Sequence, residues 1–503
     1  MEWIKKNYEE TAELVFKICY FFLTMATFIS YLYVSGFQPL MVKATILLGA
    51  ALLLIRAVHI RKYAKMPCAI LMVLFCASFL LTTVMNREYG ITENGKWIIW
   101  TGIQFFALYV CDPERDRKRY IREFRILSHI IILCSMAAAS ASLVMLFRVY
   151  SSFITSADGE FIVTGYTWGR LWGVYTDPNY GAVFGVIAIT LSLLFLLRKR
   201  GSVRILYGIG ILLNFLYIVY SDSRTGEITL LVSAGLFLIL YLRRRVSTRK
   251  RAARFGMAAG GIICAAILIF GGIQILKSGY GNYYSSVMTE RAQQQAQKDQ
   301  KSQTAQKDQK DQAQQSQQSQ TQKNQNTQGG TEEAVNNTDT TGNTAARQQD
   351  IAQDISNGRF DLWKSAVEVW ETSPVWGAGY STFVPYARDH VPDTYAVNND
   401  QGDYTSMHNT FFNTLAFQGL LGAVLFVLIG LRILTYILLP VLKAGEEEAD
   451  ELSAMLACVC AVAVSMMFLL EGVYTNSPGS FVLWVFTGYM VQYAYQNRRE
   501  ETK

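Results

Sequence analysis

The stretch His408–Gly430, HNTFFNTLAFQGLLGAVLFVLIG, sets a histidine and an asparagine directly before a run that becomes apolar and stays so. A run of about 17–25 apolar residues can cross a bilayer as a helix. Runs of this kind recur along most of the 503 residues. Hydrophobic residues make up 51% of the chain and charged residues 17%. The charged share lies below the roughly 25% of soluble domains. The expected fold class is therefore an all-α polytopic membrane protein.

The pattern predicts about twelve spans, at residues 15–35, 39–58, 67–85, 97–111, 126–147, 179–197, 203–220, 227–242, 255–276, 409–430 (extending towards 442), 452–470 and 480–494. The first run is full length and lacks a small-residue cleavage site, so it reads as a retained anchor rather than a signal peptide. Basic residues cluster in RKYAK, RDRKRYIREFR, RKRGSVR and RRRVSTRKRAAR, all on one side under this count. That side is the cytoplasm by the positive-inside rule, and an even number of spans puts both termini there. The net charge of +7 thus reflects membrane orientation and not nucleic-acid binding.

Three regions follow: residues 1–276 with about nine spans, a large extracytoplasmic loop at 277–408, and residues 409–503 with about three spans. Within the loop, residues 291–350 are dominated by Gln, Lys, Asp, Asn and Thr. Such a segment cannot bury enough apolar surface to fold, so a disordered insert is expected. Order is expected again over 357–390, where Phe360, Trp363, Val367 and Trp370 recur at helical spacing. Pro374 ends that amphipathic helix, and GAGY (377–380) follows as a turn.

The eight cysteines lie in or beside apolar runs without a C-x-x-C pair, and read as small core residues. No Asp-x-Asp triplet, P-loop, H-E-x-x-H or G-x-S-x-G occurs, so no metal site and no cofactor are expected. The predicted spans are almost free of acidic residues, which argues against a proton-coupled transporter.

The outer side carries isolated arginines where short loops should be poor in them. Arg170 stands in the 148–178 segment, Arg224 in the tight link SDSRTGE, and Arg359 at the start of the amphipathic helix. Each alone fits a snorkelling or solvated charge. Together with His408, they meet topologically at the outer bilayer surface. Arginine suits phosphate oxygens and histidine can accept a proton near neutral pH. That combination suggests a lipid phosphate or diphosphate ligand. Asp177 is a good N-cap before Pro178 and opens the next span. Asn409 orients His408 or caps the span. Trp172, Trp363, Trp376 and Tyr380 fit an interfacial aromatic belt as well as platforms for sugar rings.

Four pieces, in this order, resemble the O-antigen ligase and polysaccharide polymerase superfamily: GRLWGVYTDPNY, SDSRTGE, GRFDLWKSAVEVWETSPVWGAGY and HNTFFNTLAFQGLLG. The resemblance runs from about Arg170 to Gly422, and the Gln-rich insert departs from it. It implies a metal-independent glycosyltransferase that uses undecaprenyl-diphosphate-linked glycan on the outer face of the cytoplasmic membrane. Arg170, Arg224 and Arg359 would contact the diphosphate, with Asp177, Asn179 and Asn409 in support. His408 would activate the acceptor hydroxyl. Gly419 and Gly422 would let another helix approach closely. The implied partners are lipid-linked donor, glycan acceptor, membrane lipids and other polysaccharide-assembly proteins, with no nucleic acid. A polymerase is expected ahead of a ligase. A flippase for lipid-linked glycan and a glycan-binding scaffold are the rivals from other classes.

Overall fold

The computed structural model describes residues 2–109, 112, 114–155, 159, 161–245, 260, 271–295, 298, 358–400, 402–445 and 448–501. Residues 1–266 and 349–503 form one compact unit, and residues 267–348 a second.

The main unit is a helical bundle. Its first half comprises α1 (Glu2–Phe28), α2 (Ser30–Val34), α3 (Phe37–Val58), α4 (Ile60–Tyr63), α5 (Ala69–Met85), α6 (Thr92–Ile103) and α7 (Arg117–Phe147). Then come α8 (Pro178–Arg198), α9 (Val203–Ser221) and α10 (Arg224–Arg245). In the second unit, residues 271–295 form one helix, α11. The main unit resumes with α12 (Arg359–Thr372), α13 (Phe383–His390), α14 (Thr410–Leu442), α15 (Ala449–Ser465) and α16 (Pro478–Glu501).

Among the described residues, seven helices are long and apolar enough to cross a membrane: α1, α3, α7, α8, α9, α10 and α14. The shorter α5 is also apolar. The helical membrane architecture is as the sequence implies, while the count of twelve is not reproduced. One reason is that the expected span 97–111 divides. Helix α6 stops at Ile103, and a π-helical turn runs from Gln104 to Leu108. Helix α15 ends at Ser465, so the expected span 452–470 is cut short. Residues 469–474 then re-enter the bundle as buried loop, with Tyr474 fully covered between Phe75, Phe79 and Phe417. Non-helical backbone at such depth is tolerated where protein surrounds it. The expected span 255–276 lies outside the described residues except at 260 and 271–276. The insert expected over 291–350 begins as helix through residue 295, and otherwise lies outside the described residues except at 298.

Charge and burial organise the two ends of the bundle differently. At the end bearing the basic loops, Glu13 of α1 meets Lys17 at 2.9 Å, Arg115 at 2.6 Å and Arg56 of α3 at 3.3 Å. Lys17 also reaches Glu123 of α7 at 3.0 Å. Helices α1 and α7 extend beyond the predicted spans, and Glu13 and Glu123 lie in those extensions, while Lys17 and Arg56 fall within the predicted spans. In the middle, α8, α9, α10 and α15 share an apolar core of Ala182, Val186, Ile189, Ile218, Leu230 and Ala461.

The other end carries a small sheet and a broken helix. Residues 151–173 fold into a three-stranded antiparallel sheet, an addition to the all-α expectation: β1 (Ser151–Thr155), β2 (Phe161–Thr167) and β3 (Arg170–Gly173), in the order β1-β2-β3. Trp168 and Gly169 both have positive φ (52° and 70°), the two-residue hairpin geometry that matches strand twist. The start of α2 is tied to the segment after β3, with Ser30 N donating to Val174 O at 2.8 Å.

Helix α14 spans 33 residues and breaks at Gly419 (φ 62°, ψ −165°). The break frees backbone groups that an apolar surrounding would leave unsatisfied. The strap Ser373–Thr382 fills that need. Ala378 N and Gly379 N donate to Ala416 O and Phe417 O, each at 2.9 Å. Leu420 N donates to Pro374 O at 2.8 Å. Helix α5 holds the strap from its other side: Thr82 donates to Trp376 O at 2.5 Å and Asn86 to Gly377 O at 2.9 Å. A Cβ on Gly419 would stand 2.5 Å from the Val375 carbonyl, and one on Gly377 would stand 2.5 Å from Gly419 N. The close approach at Gly419 is thus by a loop backbone, which corrects the expectation of a neighbouring helix. Gly422 instead leaves room for Gln418 of its own helix, which bonds Tyr474 Oη at 2.6 Å and Ser78 Oγ at 2.7 Å.

The expected amphipathic helix is α12, but its buried face differs from the aromatic stripe. Leu362, Ala366 and Val369 are covered, while Phe360 is 65% exposed. The aromatic residues turn to the rim, where Trp370 caps its own helix end by donating to Pro374 O at 3.0 Å.

Gly419→Ala is expected to destabilise the protein by about 1–3 kcal/mol, from left-handed backbone strain and overpacking. Gly430→Ala, eleven residues on in the same helix with nothing within 4 Å of its Cβ position, should be neutral or slightly stabilising. Thermal unfolding of both variants in detergent checks the contrast.

Candidate active site

The site is assembled around the first turn of α8. Asp177 Oδ1 accepts from Asn179 N at 2.7 Å, and Pro178 occupies the first helical position. This is the predicted cap. The sheet then delivers Arg170 from the start of β3. Its Nε donates to Ser221 O at the end of α9 at 3.0 Å, and its Nη2 to Asn179 Oδ1 at 3.1 Å. Ser223 donates to the same Asn179 oxygen at 2.9 Å and accepts from Gly226 N at 3.1 Å, so it caps α10 while gripping α8. Asn179 therefore joins the β3 hairpin, α8 and the α9–α10 link. Arg224, the first residue of α10, stands exposed beside this junction.

Arg359 opens α12 and lies over the Phe468 ring of the re-entrant loop, 5.6 Å from its centroid. It shares the field of Asp177 and Arg224. Burial pushes its guanidinium below the usual arginine range, Asp177 opposes this, and Arg224 adds to it. Guanidinium groups keep their proton at any relevant pH, so the site presents three fixed cations around one carboxylate.

His408 is placed by three separate restraints. Its backbone is left-handed (φ 48°), and its N–H donates to Ser406 Oγ at 3.2 Å. The preceding residue is pinned from two directions. Met407 N donates to Asn413 Oδ1 at 2.9 Å, and Trp363 Nε1 of α12 donates to Met407 O at 3.2 Å. The following residue caps α14: Asn409 Oδ1 accepts from Phe411 N at 2.9 Å and Phe412 N at 3.2 Å. Asn409 Nδ2 also donates to Met467 O at 3.0 Å. Asn409 thus caps α14 and ties it to Met467.

Burial pushes the His408 imidazole below its usual pKa, Asp177 pulls it up, and Arg359 pushes it down. The ring is therefore neutral near pH 7 and able to accept a proton. Among the described residues, it makes no side-chain hydrogen bond within the protein.

The aromatic candidates separate. Trp363 stacks on Phe412 with ring centroids 5.2 Å apart, which together with its bond to Met407 makes it a support for His408. Trp172 lies beside Arg170, with the guanidinium 5.9 Å from its ring, and its carbonyl accepts from Tyr217 Oη at 3.3 Å. Trp376 contributes its carbonyl to the strap and is half-buried. Tyr380 borders the same cavity as His408, and burial pushes its phenol up to about 12.

Sequence reasoning missed the re-entrant loop. Thr410 N donates to Met466 O at 2.8 Å, and Thr410 Oγ1 donates to the carbonyls of Leu469 and Glu471, both at 3.0 Å. Tyr180 of α8 donates to Leu470 O at 2.8 Å. Glu471 is wholly buried, with Ser477 and Ser480 donating to its Oε2. The signal available in the sequence was the glutamate itself, set immediately after an apolar run.

Residues 209–427 match the O-antigen ligase family, Wzy_C. The match covers less than half of the chain and supports the resemblance to the O-antigen ligase and polymerase superfamily. The matched segment contains Arg224, Arg359 and His408, while Arg170, Asp177 and Asn179 lie upstream of it. The family's chemistry is ligase- or polymerase-type glycan transfer, with lipid-linked glycans as substrates. A comparison with curated proteins gives no match.

If His408 acts as a base, activity should fall on the acid side of neutrality as the ring takes up a proton. Asp177→Asn retains a capping side chain but removes the charge that favours imidazolium. The acid limb of its kcat/KM profile is expected to move to lower pH. A limb that stays in place or moves up would contradict the electrostatic link.

Proposed function

We propose that this protein transfers glycan from an undecaprenyl-diphosphate carrier to an acceptor hydroxyl at the outer face of the cytoplasmic membrane. The observation that carries this reading is the convergence just described. Side chains from β3, α10, α12 and the turn before α14 meet at one end of the bundle, with cations beside a neutral histidine.

In the reaction, His408 takes the acceptor hydroxyl proton as its oxygen attacks the anomeric carbon of the donor sugar. The bond between that carbon and the diphosphate oxygen breaks. Arg170, Arg224 and Arg359 stabilise the charge gathering on the leaving diphosphate. The imidazolium then returns its proton to water. No step needs a metal, because the guanidinium groups supply the positive field. In this reading both termini and the basic loops lie on the cytoplasmic side, as the positive-inside rule requires. Polymerisation is the favoured outcome, with a second lipid-linked glycan as acceptor. Ligation would use the same chemistry on a lipid, wall polymer or protein.

His408→Ala is expected to lose about 10²–10⁴-fold in transfer while the folded protein survives. Arg224→Ala should weaken use of the donor. Single cysteines at 170, 224, 359 and 408 should react with a membrane-impermeant maleimide added from outside the cell. Full transfer by His408→Ala, or labelling of any of the four from the cytoplasmic side only, would overturn the assignment.

A further inference from the structure

His408 borders a cavity of about 380 Å³ between α1, α3, α6, the strap and the re-entrant loop. The volume lies within the range of about 300–1,000 Å³ usual for small-molecule sites. Among the described residues, none of the three arginines and no carboxylate lines it. His408 thus stands between a charged region and a neutral one.

The neutral region has the composition of a carbohydrate site. Trp97 meets Tyr380 edge to face at 5.2 Å, and Trp100, only 6% exposed, lies one helical turn further along α6. Around these rings stand polar groups that the protein does not use. The Gln38 amide, the indole N–H groups of Trp97 and Trp100, and the Tyr380 and Thr405 hydroxyls make no hydrogen bond among the described residues. Asn476 is fixed through its Oδ1, which accepts from Tyr20 Oη at 2.6 Å and Gln104 Nε2 at 3.3 Å, and that leaves its Nδ2 without a protein partner. Gln104 begins the π-helical turn, and it also donates to Thr475 O at 2.7 Å. Such turns interrupt helices frequently at functional sites.

We propose that this cavity is the acceptor subsite and takes an uncharged, hydroxyl-rich sugar ring. The inference rests on the transfer reaction proposed above and adds where the acceptor sits and what it is. Sugar hydroxyls supply both the donors and the acceptors that the unused polar groups need, and an aromatic wall suits the apolar face of a pyranose. A uronate or phosphate in this position would lose its water without gaining a cation. The donor diphosphate belongs with the arginines, so the two substrates approach His408 from regions of different character.

The test uses the full chain in detergent. The donor is the lipid-linked glycan extracted from host cells that lack this protein, and the acceptor is the same glycan released from lipid by mild acid. Trp97→Ala and Gln38→Ala are expected to raise the acceptor KM about tenfold or more, with the donor KM held within about twofold. Arg224→Ala should do the reverse. Acceptor oxidised to the uronate at its terminal sugar should be used about tenfold less well. Unchanged acceptor KM in both cavity variants, or equal use of the uronate, would overturn the subsite. Should the wild type form no product, the transfer reaction itself fails, and the cavity is judged separately. A cysteine at position 405 (Thr405→Cys) would be protected from maleimide by the released glycan if the site binds sugar, and unprotected if it does not.

Discussion

The break in α14 at Gly419 is the constraint on which the functional end of the bundle depends. A helix interrupted among apolar neighbours must have its freed carbonyl and amide groups satisfied, because unpaired backbone costs several kcal/mol in such surroundings. The strap supplies the missing partners through its own backbone, from Pro374 to Gly379. Glycine at 377 and 419 is required by contact, since a Cβ at either would meet backbone at 2.5 Å. One exchange of hydrogen bonds therefore locks the long segment before α14 onto the bundle.

That lock has consequences on both sides of His408. Helix α12 leads into the strap and holds Met407 through Trp363. The start of α14, a few residues beyond His408, is bonded to the re-entrant loop through Asn409 and Thr410. The histidine sits at the junction of these elements with little freedom in its backbone. Arg170 reaches the same place by a different route, through a hairpin whose tight turn delivers it to Asn179. A site built from rigid elements in this manner holds its arginine and histidine side chains in register.

Much of this was legible in the sequence, for reasons that differ by residue. Asp177–Pro178 announced a helix start, and the structure places both in the cap. The three isolated arginines and His408 could be assigned to one side from topology alone, because the tight link 221–227 leaves Arg224 no other position. The apolar runs gave the membrane class, yet their boundaries were misjudged where hydropathy and helicity part company. Residues 466–470 are apolar but non-helical, and Leu469 and Leu470 are covered by protein while Met467 is 50% exposed. The sheet at 151–173 was hidden in a segment read only as a connection. Trp363 fits an aromatic belt as well as a sugar platform by sequence, and its ring stacks on Phe412. Gly419 was assigned to close packing correctly, but to the wrong partner, because a kink and a helix crossing both call for glycine. Trp97 and Trp100 were passed over inside a predicted span, where aromatic residues carry no special signal.

The central claim is that one site moves a glycan off a lipid diphosphate. Its most direct test is an assay of the purified full chain with lipid-diphosphate-linked oligosaccharide, with a chelator present and products resolved by size. The account predicts longer or newly attached glycan together with one released lipid diphosphate per transfer, undiminished by the chelator. Intact donor with every acceptor offered, or transfer that depends on added metal, would contradict it.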